Sequence, residues 1–79
     1  MQLDIEADLN MEDDDGLNWT LLRNAVDPDA VKPGVVLRAG RDGFWSWARI
    51  EAVDDDGQVH FRQISYAEAR RGQDAAAAG

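Results

Sequence analysis

Cysteine is absent from this chain of 79 residues, which also holds a single histidine, one tyrosine and two prolines. Without cysteine there is no disulfide staple, and zinc sites built on thiolates are excluded. One histidine, His60, cannot make a His-rich metal centre. No apolar run approaches the roughly 18–20 residues needed to cross a bilayer. The opening residues Met1, Gln2, Leu3 and Asp4 lack the positive start and apolar stretch of a secretory signal. Cytoplasmic residence without membrane contact is the expectation. A chain this short forms one domain, and its stability must come from an apolar core, a partner or self-association.

Bases are scarce as well: eight Lys and Arg face sixteen Asp and Glu, for a net charge of −8. The imbalance is local. Residues 1–31 carry nine of the acids against one base, Arg23, so the whole excess sits in that segment. Residues 32–65 balance five bases against five acids, and residues 66–79 balance two against two. Direct binding to duplex nucleic acid is disfavoured, since it needs a basic footprint.

What is present begins with residues 1–16, where seven acids surround Leu3, Ile5, Leu9 and Met11. Like charges at this density favour an extended, flexible acidic arm. The two-residue alternation of the apolar positions supports an edge strand as the alternative. Residues 17–71 form the single small domain. Trp19, Leu22 and Val26 fall at helical spacing after Asn18, an acceptable N-cap, and predict a short helix near residues 18–26. The pair Asp27-Pro28 ends it, and proline can open one further turn there.

After the break at Lys32, Pro33 and Gly34 the pattern becomes β. Strands are predicted over 35–39, 44–53 and 58–65, joined by glycine-containing turns at 40–43 and 54–57. Ser65, with Glu68 three residues on, can cap a helical turn over 66–71. Gly72 would stop that turn, leaving residues 72–79 as a disordered tail. The predicted class is mainly β with minor α: a three-stranded antiparallel meander closing as a small SH3-like barrel or bent sheet, roofed by the 18–26 helix.

Alternation assigns the faces. Val35, Leu37, Ala48, Ile50, Val59 and Phe61 make a consistent core. Arg38, Trp45, Trp47, Arg49, His60 and Arg62 gather on the opposite side. Two arrangements of the tryptophans are open. A bulge near residues 43–46 would reverse the register and send one or both into the core. Otherwise they stay outside as anchors of a contact patch, a role in which Trp and Arg dominate interface energetics.

Catalytic and metal motifs are not formed. The runs ending at Gly16 and Gly57 resemble calcium loops, but an EF-hand needs acids at its first, third and fifth positions and Glu at the twelfth. Met11 and Ala52 occupy the first positions, and Leu22 and Gln63 the twelfth. His60 with Ser46 or Ser65 lacks an evident orienting acid and oxyanion hole. No catalytic residue, cofactor or metal is expected.

In order along the chain stand Asp8-Leu9-Asn10, Glu12-Asp13, Gly16-Leu17, Trp19, Leu22, Ala25, Asp27-Pro28, Pro33-Gly34 and Gly57-Gln58-Val59-His60. Over residues 8–62 this order resembles a group of short acidic actinobacterial proteins. The resemblance implies a high-GC bacterial source, in keeping with seven arginines to one lysine, and carries no activity with it.

These readings favour a non-catalytic protein-binding or adaptor module. Its expected contacts are the strand face of Trp45, Trp47, Arg49, Arg38 and Arg62, and the acids Glu12, Asp13 and Asp14 against a basic partner surface. The alternative is an acidic nucleic-acid mimic that inhibits a DNA- or RNA-binding protein, or a weak single-strand binder that stacks bases on the tryptophans. A homodimer through an open sheet edge is compatible with each.

Overall fold

The computed structural model describes residues 2–78, with the side chains of 73–78 left outside the description. Five strands make one curled, half-barrel sheet: β1 (Ile5–Glu6), β2 (Asn18–Leu21), β3 (Val36–Arg41), β4 (Phe44–Val53) and β5 (Gln58–Ile64). One helix, α1 (Tyr66–Ala78), follows. The spatial order is β1-β3-β4-β5-β2, so the meander expected from the sequence forms the centre. All its pairings are antiparallel; β2 is antiparallel to β5, and β1 alone runs parallel to its neighbour, β3.

The meander forms where alternation and glycine turns dictate it. Arg41 pairs with Phe44 across a turn of Asp42 and Gly43. Gly40 lies inside β3, at φ +140°, and a Cβ there would stand 2.5 Å from the Phe44 carbonyl oxygen. Only glycine fits that approach. Within the curl Leu37, Ala39, Ala48, Ile50, Val59 and Phe61 are buried, with Val35 and Val53 packed against them.

Four expectations need correction. Residues 17–26 are not a helix: β2 is followed by a short 3₁₀ turn over Leu22–Asn24. Helical spacing would bury Val26, which is 64 % exposed. Asn18 and Thr20 instead point inward at alternate positions, and Trp and Thr suit a strand better than a helix. Proline does open a 3₁₀ turn at Pro28–Ala30, as its position suggested.

Residues 3–9 do not stand off as an arm. Ile5, Ala7 and Leu9 are buried in the core, and Ile5 pairs with Ala39 on one side and bridges to Ala25 on the other. Alternation prevails over charge repulsion because the intervening acids Glu6 and Asp8 stay at the surface or half-buried there.

The third correction concerns register. The bulge lies at Glu51, not near residues 43–46: Ile50 pairs with Phe61 and Ala52 with His60, leaving Glu51 as the extra residue. Val53 therefore turns inward and Ala52 outward, the reverse of simple alternation.

Helix α1 begins as expected, the Ser65 hydroxyl accepting the Glu68 N–H at 3.2 Å. It does not stop at Gly72. A Cβ on Gly72 would come within 2.8 Å of a Val36 methyl, so this glycine lets the helix approach β3. Ala69 is buried, as is Ile64, which pairs with Trp47 on the outer face of the sheet. The tail expected over 72–79 is thus helical as far as Ala78; its side chains from 73 onward, and Gly79, lie outside the described residues.

Candidate functional site

Two surface regions carry the side chains that the sequence singled out. The first is the outer face of β3, β4 and β5. Since the ladder is regular from Phe44 to Ile50, Trp45, Trp47 and Arg49 keep one side, opposite the core residues Ala48 and Ile50. Trp45 and Trp47 are half-buried, their rings edge to face at 5.7 Å and 77°. Such a pair contributes about 0.5–1.5 kcal/mol beyond area burial.

Arg38, opposite Trp47 in β3, places its guanidinium carbon 5.7 Å from that ring's centroid, a cation–π arrangement. Its Nε is buried without a hydrogen-bond partner, and the nearest carboxylate oxygen, on Asp4, is 3.8 Å away. Asp4 is committed instead to the Arg38 backbone N–H, at 2.8 Å. Arg49 and Arg62 face each other across β4 and β5, an unfavourable like-charge pair by itself. Glu51, the bulged residue, stands between them, 3.6 Å from Arg49 and 3.2 Å from Arg62. Trp45, Trp47, Arg38, Arg49 and Arg62 are therefore brought together on one face.

Glu12, Asp13 and Asp14 belong elsewhere. Glu12 bridges to Asn18 at the outer edge of β2, and both Glu12 and Asp14 are exposed. Asp13 turns inward. Its Oδ1 accepts the N–H groups of Asp15 and Leu17, both at 2.9 Å, and its Oδ2 lies 2.7 Å from His60 Nδ1. The other ring nitrogen of His60, Nε2, lies 2.8 Å from Asp54 Oδ2. One imidazole thus joins the two aspartate runs, 13–15 and 54–56, at a single acidic end of the molecule.

The electrostatics follow from these contacts. Hydrogen bonding to Asp54, then to Asp13, outweighs burial and holds the His60 pKa above its ordinary 6.5. Burial pushes the Asp13 carboxyl up, but the Leu17 N–H, the His60 ring and the Asp15 N–H outweigh it and leave its pKa below 3.8. Neither ring nitrogen of His60 meets a hydroxyl; both are taken by carboxylates.

Sequence reasoning put His60 on the Trp/Arg face and missed its tie. Half the signal was available, because Asp54 and His60 flank a tight turn; Asp13 is 47 positions away and gave none. Asn18 was missed in the same way. Its amide nitrogen donates to the Leu9 and Met11 carbonyls at 2.9 and 3.0 Å, and its oxygen accepts from Gln63 at 2.9 Å.

Shallow hollows accompany both regions. One of about 330 Å³ is lined by Leu3, Arg41, Asp42, Gly43 and Trp45, at the hairpin end of the aromatic face. Among the described residues, no group of three or more His, Asp or Glu side chains is arranged to hold a metal ion, and no helix is long and apolar enough to cross a membrane.

These features define a small, curled β domain with one helix, a Trp/Arg outer face and an acidic end. No family model, curated protein or solved structure matches the chain.

Proposed function

We propose that this chain is a non-catalytic protein-binding or adaptor module whose principal contact surface is the outer face of β3, β4 and β5. The observation that carries the reading is the position of Trp45 and Trp47. They stay outside the core, partly exposed and edge to face, beside Arg38, Arg49 and Arg62. Partly exposed aromatic side chains with adjacent guanidinium groups supply large contact area at low entropic cost, the composition of an interface centre. Cytoplasmic residence and a small SH3-like barrel accompany this reading. The barrel is supported by the bridge from Ile5 in edge strand β1 to Ala25, just past edge strand β2, and by the Thr20 hydroxyl of β2 donating to the Glu6 carbonyl of β1.

The test is affinity capture from native lysate by the full chain and by Trp47→Ala, at low and high salt, with circular dichroism to establish that the variant is folded. A discrete partner retained by the wild type and lost by the variant is the expected result. An unchanged set of captured proteins removes the face from the account.

The acidic-mimic reading gains one observation. Mimicry of phosphates needs acids at fixed spacing, and His60 ties the runs at 13–15 and 54–56 to each other. A partner that survives Trp47→Ala but is lost on joint neutralisation of Asp14, Asp15 and Asp55 would favour it.

A further inference from the structure

The contact between His60 and two carboxylates fixes a protonation state by donor counting. An ionised carboxylate only accepts hydrogen bonds, and a neutral imidazole has one N–H. Two short contacts to two carboxylates, 2.7 Å at Nδ1 and 2.8 Å at Nε2, therefore require both nitrogens to carry protons. With both carboxylates ionised, the arrangement needs imidazolium between them.

We propose that His60 is a proton-controlled latch: as imidazolium it holds the loop over 12–17 and the turn over 54–57 together, and on losing its proton it releases one of them. The asymmetry of the two acids says which. Asp13 is 16 % exposed and is fixed independently by the N–H groups of Leu17 and Asp15; Asp54 is 49 % exposed. The neutral ring keeps its remaining proton on Nδ1, toward Asp13. A bare Nε2 lone pair then faces the Asp54 carboxylate, and that contact turns from attraction to repulsion.

The surroundings favour the charged ring. From β2, Trp19 lies opposite His60, and none of the four residues of that strand titrates. From β4, Ala52 is the partner of His60, while the nearby Glu51 is engaged with Arg49 and Arg62. Arg62 lies two residues along β5. The loop adds the exposed Glu12, Asp14 and Asp15, and the turn adds Asp55 and Asp56. Arg23 borders the hollow that Asp56 and Gly57 line. Acids outnumber bases at this end, and His60 is the group there that changes charge near neutrality. The raised pKa of the ring agrees with this count.

Release matters because the turn is a structural joint. Its Gly57 carbonyl accepts the Leu22 N–H at 2.8 Å, so the turn also holds the end of β2. Loss of the proton loosens the turn while the loop stays capped.

The experiment is a pH titration of the full chain by nuclear magnetic resonance, following the ring nitrogens of its single histidine and the backbone amides. The ring is expected to be doubly protonated on the acidic side of its midpoint and to titrate above 6.5. The amides of residues 54–57 should move with the same midpoint, while those of Asp15 and Leu17 stay in place. Asp54→Asn supplies the control, since its amide can donate to a bare Nε2 and its oxygen can accept from a protonated one. That variant should titrate at lower pH and lose the response of the turn. A ring that titrates at or below 6.5, or turn amides that ignore its midpoint, overturns the latch. So does a turn response that persists in Asp54→Asn.

Discussion

Residues 36–64 fold on themselves. Each of β3, β4 and β5 pairs with its neighbour in sequence across a short turn, and the sheet's inner face is apolar. Residues 3–31 have no partner so near: β1 pairs with β3 more than thirty positions on, and β2 with β5 about forty positions on. This second region adds apolar groups to the core, but polar side chains fix its path. Asn18 holds two carbonyls of the 9–11 segment, the Thr20 hydroxyl donates to the Glu6 carbonyl at 2.7 Å, Asp4 accepts the Arg38 N–H, and Asp13 is held by His60. Closing long loops is entropically costly, and directional bonds to buried backbone groups supply the specificity that a turn supplies in the meander.

The contrast can be broken from either side. The largest effect is expected at Phe61→Ala, which empties the centre of the inner face. Large-to-small changes of this kind cost about 3–5 kcal/mol. A domain of this size has roughly 4–12 kcal/mol in total, so urea denaturation should show most or all of the stability gone. Asn18→Ala comes next, at about 2–3 kcal/mol, because it leaves the buried Leu9 carbonyl with only the 3.5 Å contact from Gln63 and takes the donor from the part-buried Met11 carbonyl. Hydrogen exchange should show where the loss falls: the amides of Ala7, Met11 and Asp13 lose protection while those of β4 keep theirs. Equal loss in both regions would mean that the two are one cooperative unit. Thr20→Val preserves shape and deletes two bonds, the one donated to the Glu6 carbonyl and the one accepted from the Asn24 amide at 3.2 Å, for about 1–2 kcal/mol, again with the change concentrated in the N-terminal region.

The smallest effect is on pH dependence. The folded-state pKa of His60 is raised, so its stabilising contribution is complete below 6.5 and is lost as pH rises through that higher folded value. Asp13 works in the opposite sense: its contribution is present above 3.8 and is lost as pH falls through its lowered folded value. Thermal denaturation across pH should therefore show greatest stability between those limits, and His60→Gln should flatten the alkaline side. A wild-type chain that stabilises as pH rises from 6.5 to 9 would contradict the assignment.

The same contrast explains what could be read from the residues alone. Turn glycines at Gly43 and Gly57, the apolar alternation from Leu37 through Ile50, and the Ser65 cap are local signals, and each stands where local chemistry puts it. The outer position of Trp45 and Trp47 also follows from alternation once no bulge intervenes before Ile50. Ile5, Ala7 and Leu9 alternate as clearly, but acids between them read equally well as a solvated segment, and their partner Ala39 is far along the chain. The bulge at Glu51 has no glycine to announce it. The roles of Asn18 and His60 depend on groups that only the folded chain brings near, so no spacing encodes them.

Glu51 has one further consequence, and it is a matter of parity. Elsewhere in the ladder, removing a residue would exchange inside for outside along the rest of the strand. At this position the count is already odd by one. Ile50 faces in, Ala52 out and Val53 in, so a chain shortened here by the glutamate alone would keep every later residue on its present side. What would go is the single carboxylate between Arg49 and Arg62, leaving two guanidinium groups opposed beside the tryptophans.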